Sequence, residues 1–226
     1  MAVAAPSSSF MSAIKTLPED SALLINGVAW SDYERLLAEL EAAGRNVRVT
    51  YDRGKLEIMT LTYEHERYKA LFAHLLAILT EELGLPLIGG GSVTLKRANQ
   101  AQGAEPDDSY HIQRAAAVRG KLRIDLETDP PPDLAVEVDI TSSSLPRFPI
   151  YAEMGVPELW RFDGQQVQFY RLVNVAYQEI MESGLFPFVN VETLNDFINL
   201  GITEDINAMR REFRKWVIAH KPQAGQ

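Results

Sequence analysis

Three acidic side chains in two separated segments are of the type that would hold a hard cation if the fold brought them together. In Leu134-Ala135-Val136-Glu137-Val138-Asp139-Ile140 the alternation has the period of a strand. Leu134, Val136, Val138 and Ile140 then share one face, and Ala135, Glu137 and Asp139 the other. Two carboxylates that close repel each other, so a central strand would need a cation, a basic partner or water beside them. A half-exposed strand with a solvated polar face would need none. The second segment is Glu105-Pro106-Asp107-Asp108-Ser109-Tyr110, where Pro106 presets the chain before a strand that opens on Asp107. An Asp in an ordinary turn has the same form. Where the two segments meet, their oxygens would suit magnesium, which takes a few carboxylates and keeps several waters. Such an ion can activate water, neutralise phosphoryl oxygens and stabilise a leaving oxygen.

The elements that must position these residues follow from periodicity and punctuation. Ser31-Asp32-Tyr33-Glu34 has the form of a capping box for a helix through Leu36, Leu37 and Leu40 that stops near Gly44. Residues 47–51 and 55–59 alternate around Asp52-Arg53-Gly54 and predict a hairpin. Residues 63–83 carry leucines at helical spacing, with Glu64 and His65 in a first turn where the dipole favours an acid. Residues 86–96 read as a glycine-interrupted strand and 106–113 as another. A charged loop ending in Pro130-Pro131-Pro132 precedes the strand at 134–140. A short helix at 149–154 ends at Gly155. Residues 158–162 and 166–172 form a hairpin over Asp163-Gly164, which 176–181 can extend. Helices at about 191–200 and 203–220 close the chain. This order predicts an α/β or α+β domain, a mixed sheet with helices packed on it.

A chain of 226 residues holds one domain with a sizeable core, and any second domain would be small. The net charge of -9 argues against a protein that grips DNA by bulk electrostatics. A local patch is the alternative, and Arg210, Arg211, Arg214 and Lys215 cluster with Phe213 and Trp216 on the last helix. A solvated helix face is the plainer reading of the same run. Cysteine is absent, which excludes disulfides and thiolate zinc sites and fits a reducing cytoplasm. No apolar run approaches the roughly 20 residues that span a bilayer. Residues 1–20 are expected to be a mobile arm without the layout of a signal peptide. The four histidines are scattered, which disfavours a transition-metal centre. Gly89-Gly90-Gly91-Ser92 lacks the Lys of a phosphate loop, and Ser142-Ser143-Ser144 reads as a turn and helix cap.

Pro132-Asp133-Leu134-Ala135-Val136-Glu137-Val138 and Tyr151-Ala152-Glu153-Met154-Gly155-Val156-Pro157-Glu158-Leu159-Trp160, following Pro106-Asp107 at this distance, resemble the Uma-type restriction endonuclease family of the PD-(D/E)XK superfamily. The likeness extends more loosely from about Trp30 to Met181. It implies a restriction-endonuclease-like mixed central sheet flanked by helices over residues 21–190, with a helical extension at 191–226. It implies that Asp107 and Glu137 bind Mg2+ or Mn2+ with the carbonyl of Val138, and that Glu64 is a further acidic site residue, with His65 beside it. The superfamily places Lys two residues after the Glu, where this chain has Asp139, a candidate for a second ion or for orienting water. The family's basic residue often stands on the next helix instead, where Arg147 is the nearest cation. Arginine can neutralise a phosphate but cannot act as a general base. The implied function is metal-dependent endonucleolytic cleavage of DNA, with RNA still open. The rival is a catalytically inactive dimeric module that binds nucleic acid or serves as a scaffold. Exposed hairpins and the amphipathic last helix are compatible with a homodimer.

Overall fold

The computed structural model describes residues 7–44, 47–140 and 146–222. It opens on α1 (Ser7–Thr16), whose Phe10 and Ile14 lie one turn apart and are both buried. They pack with Tyr33, Leu36 and Leu40 of α2 (Trp30–Ala43). Within the arm expected at 1–20, residues 7–16 form a helix whose buried residues Phe10 and Ile14 lie against α2. The helix α2 starts at Trp30, capped by Ala29, so Ser31 falls inside the first turn and the predicted capping box does not form. Gly44 ends it in the left-handed region at φ 58°.

Strands β1 (Ala22–Asn26), β2 (Val47–Asp52) and β3 (Lys55–Thr60) belong to a five-stranded antiparallel sheet. The β2–β3 turn has positive φ at both Arg53 and Gly54, as the tight hairpin turn requires. The other two strands are β5 (Leu95–Arg97) and β6 (Gln102–Ala104), giving the order β1-β3-β2-β6-β5. Val49, Tyr51, Leu56 and Ile58 face α1 and α2. By alternation, Arg48, Thr50 and Glu57 face the other way, yet all three are buried.

What they face is the second sheet. It contains β4 (Ile88–Gly89), β7 (Asp108–His111), β8 (Leu134–Val138), β9 (Glu158–Phe162), β10 (Val167–Val173) and β11 (Ala176–Ile180). Its order is β11-β10-β9-β8-β7-β4, with β8 and β9 parallel and the other neighbours antiparallel. This is the expected mixed sheet; the 47–60 hairpin pairs in the other one. The single strand expected over 86–96 is split between the sheets as β4 and β5. At the bend a Cβ on Gly90 would sit 2.6 Å from Ser109 Oγ, so a larger residue there would have to displace that side chain.

On one face of this sheet, α3 (Tyr63–Leu83) sets Leu71, Phe72, Leu75, Leu76 and Leu79 against Val136, Val138, Trp160 and Phe169. Helices α6 (Val191–Thr203) and α7 (Ile206–His220) add Leu194, Ile198, Met209, Phe213 and Val217 to that same core. The expected C-terminal extension is therefore built into the interior. On the opposite face α5 (Phe148–Met154) packs Ile150, Tyr151 and Met154 against Ala135 and Leu159. A single turn, α4 (Ala115–Val118), lies between β7 and β8. Strand β8 is buried on both faces, so the half-exposed strand with a solvated polar face does not apply.

Candidate active site

The site forms where β8 ends and the buried face of the other sheet meets it. Asp107 stands one residue before β7. Its N–H donates to Val136 O at 3.1 Å, and its Oδ2 accepts from the Val138 N–H at 2.7 Å. These two bonds lay the Asp107 carboxylate across the β8 backbone beside Glu137. Both acids are buried, at 1% and 0% exposure. Between them, reaching in from β2, is the guanidinium of Arg48. It contacts Asp107 Oδ1 and lies 3.6 Å from Glu137 Oε2. His65 Nε2, on the first turn of α3, is 2.6 Å from the same Asp107 oxygen and 2.9 Å from Arg48 Nη2.

The other side of Glu137 is closed by the start of α5. The Tyr151 hydroxyl donates to Oε1 at 2.5 Å, and Arg147 Nη1 lies 3.2 Å from Oε2. Arg147 also pairs with Asp139 Oδ1, while Asp139 Oδ2 accepts from Arg161 Nε at 2.8 Å. Three carboxylates thus meet three guanidinium groups, which answers the repulsion that the sequence alone leaves open. A buried charge without such a partner would be strongly destabilising.

The environment sets each group's charge. Burial raises the Glu137 carboxyl above its usual range, against the pull of Arg147 and Arg48. Burial and then Arg147 lower the Arg48 guanidinium from its ordinary value. Burial would also lower Arg147, but Glu137 and Asp139 outweigh it and hold that group above its usual value. Burial and Glu137 push the Tyr151 hydroxyl up, so it stays a donor. Burial first, then Arg48, push His65 down to about 3, leaving a neutral imidazole at physiological pH.

The structure brings together Asp107, Glu137, Asp139, Arg147 and the backbone of Val138. It leaves Glu64 out: that side chain is exposed on α3, and besides Asp107 the acid beside the His65 ring is Glu66, with Oε1 3.4 Å from Nδ1. Sequence reasoning missed Arg48, Tyr151 and Arg161. The one available signal for Arg48 was a cation between two valines in an alternating strand, which looks like any solvent-facing position until the second sheet covers it. Ser142-Ser143-Ser144 lies outside the described residues.

Two acids in the segments that carry the family resemblance have other duties. Glu158 Oε1 accepts from Trp160 Nε1 at 2.8 Å and Ser183 Oγ at 2.6 Å. Its Oε2 accepts from the N–H groups of Gly184 at 2.9 Å and Leu185 at 3.1 Å. Asp133 Oδ2 accepts from Ile112 N–H at 2.7 Å and Arg114 N–H at 2.9 Å. Both pin loops to the sheet. On α7, Arg214 holds Glu81 at 2.8 Å and pairs with Glu82, and Lys215 holds Glu212 at 2.8 Å. Phe213 is core and Trp216 stacks on it, so Arg210 and Arg211 are the exposed remainder of the predicted patch.

The donors suit a hard cation. Asp107 Oδ1 and Glu137 Oε2 are buried, accept no well-directed hydrogen bond and flank one guanidinium between them; carboxylate oxygens of this kind match magnesium or manganese. The place between them is held by Arg48. Among the described residues no three His, Cys, Asp or Glu side chains are grouped as cation ligands. No helix among them is long and apolar enough to cross a membrane.

A family model described as "Uma2: Putative restriction endonuclease" matches residues 30–203. Among solved structures, a putative nuclease belonging to DUF820 from Anabaena variabilis is similar at 13% identity and a TM-score of 0.42, covering 66% of this chain and 90% of that one. No curated protein matches. The family match spans well over half the chain and includes every residue of the buried cluster, so the chain belongs to the Uma2 putative restriction endonuclease family.

Proposed function

We propose that this protein is a metal-dependent endonuclease that hydrolyses phosphodiester bonds of DNA. The observation that carries the reading is the convergence of Asp107 Oδ1 and Glu137 Oε2 on one place at the end of β8. With the carbonyl of Val138, these two acids would hold Mg2+ or Mn2+, which when bound activates water and neutralises phosphoryl oxygens. Arg147 is the cation nearest Glu137 on the α5 side and would offset phosphate charge. Asp139 would orient water once released from Arg147. Arg210 and Arg211 would supply local attraction to the backbone that the acidic chain as a whole lacks. Duplex cleavage would be served by a homodimer, and the cysteine-free composition suits the cytoplasm.

One observation favours a second reading, an inactive module of the same fold that binds nucleic acid or acts as a scaffold. Arg48 sits between the two acids, and the position of the superfamily lysine is Asp139, whose oxygens are both taken by arginines. Cleavage of plasmid, single-stranded DNA and RNA with Mg2+ or Mn2+, run beside Glu137→Ala, separates the readings. The nuclease reading expects DNA cleavage that chelator and the substitution both abolish. Cleavage of RNA alone would reassign the substrate. Binding of DNA with no cleavage under either metal would leave the scaffold.

A further inference from the structure

We propose that Arg48 is the resident counter-ion of the Asp107–Glu137 pair and that a divalent metal enters by exchanging places with its guanidinium. This rests on the metal-dependent reading above and adds how the site is assembled and loaded. Arg48 is 4% exposed and comes from the sheet opposite the one that carries the two acids. It touches Asp107 Oδ1 and lies 3.6 Å from Glu137 Oε2, the two oxygens that would bind the ion. Guanidinium and metal therefore claim the same charge and the same space.

The consequence is a site that folds without metal. Two buried carboxylates this close would repel each other and resist desolvation. Arg48 removes that conflict, and any entering ion must first displace it. The apparent metal affinity is lowered by the free energy of that displacement. Glu57, which already acts electrostatically on Arg147, lies on β3 on the same face and diagonal to Arg48, since Thr50 pairs with Glu57 and Arg48 with Met59, so the displaced group would still have an acid beside it on its own sheet. Because Arg48 links two sheets, metal loading would also loosen their contact at this point.

The test is Mn2+ titration calorimetry on the full chain, with thermal unfolding in EDTA and in Mn2+. Arg48→Ala is expected to bind Mn2+ at least about tenfold more tightly than wild type, about 1.4 kcal/mol. Its Tm should fall in EDTA and recover in Mn2+, whereas the wild-type Tm should change little on chelation. Methylguanidinium, which refits the vacated place, should compete with Mn2+ in Arg48→Ala and not in wild type. That competition separates exchange from long-range repulsion, which a remote control such as Arg210→Ala also samples. Wild type that binds Mn2+ as tightly as Arg48→Ala, or the absence of competition, overturns the exchange and leaves the nuclease reading standing. If neither folded protein binds Mn2+, the metal reading itself fails. If Arg48→Ala folds only with Mn2+, the proposal is supported. If it folds in neither, Arg48→Lys decides by the same affinity criterion, because an ammonium lacks the planar fork that bridges both oxygens.

Discussion

Glu158 lies in the most family-specific segment, yet its contacts predict a purely structural phenotype. Its carboxylate is buried and accepts four hydrogen bonds, from Trp160, Ser183, Gly184 and Leu185. Glu158→Gln keeps the size but presents an amide NH2 to two of the four donors, whichever way the amide turns. Hydrogen bonds to a charged group contribute about 1.5–3 kcal/mol each, so losing two costs about 3 kcal/mol. With a urea m value of about 3 kcal/mol/M for a chain of this size, the unfolding midpoint should fall by about 1 M. The assay is urea unfolding followed by tryptophan fluorescence, with Mn2+ titration of the folded variant alongside. Metal affinity per folded molecule should match wild type. Combining the change with Trp160→Phe should be less than additive, since the two share one bond. A midpoint shift below about 0.3 M at unchanged m would refute the clamp. Lost Mn2+ binding at unchanged stability would move Glu158 into the chemistry.

The two arginines on Asp139 should behave differently. Arg147→Met strips a cation from buried Glu137 and should cost about 3–5 kcal/mol in urea unfolding, whereas Arg161→Met breaks a partly exposed pair and should cost under about 1 kcal/mol. Equal costs would contradict the burial difference. For His65 the folded group is neutral down to about 3, so an unfolded chain binds the extra proton first as pH falls below 6.5. Its contribution is complete above pH 6.5 and is lost toward pH 3. Between pH 6.5 and 4.5 in EDTA, wild type should lose about 2 kcal/mol relative to His65→Gln. Taking the difference removes the opposite contribution of Glu137, and parallel curves would exclude a neutral buried imidazole. Phe10→Ala should cost about 3 kcal/mol because its ring is buried against α2; a loss under about 0.5 kcal/mol would restore the mobile arm.

Much of this protein is legible locally. The hairpins at Arg53-Gly54 and Asp163-Gly164 follow from the glycine in each turn, Gly54 and Gly164, which takes positive φ freely and needs no distant partner. The span of α3 follows from leucine spacing and the Gly84 stop. Glu137 and Asp139 announce themselves because strand period alone puts them on one side. The capping box at Ser31 failed because Ala29 and Trp30 enter the helix earlier, drawn by packing of the Trp30 ring with Tyr33 and Tyr51. The strand at 86–96 divided because its glycines let the chain leave one sheet for the other.

The chain's residue types and spacings by themselves determined a mixed α/β protein and put Glu137 and Asp139 on one side of a strand. Only the packing of one sheet on the other decided what lies between Asp107 and Glu137. Arg48 is about 60 residues from Asp107 and about 90 from Glu137 in sequence, and nothing in the pattern Val47-Arg48-Val49 distinguishes a buried counter-ion from a solvated cation. Burial supplies that distinction, because removing water turns a surface charge into one that must find its opposite.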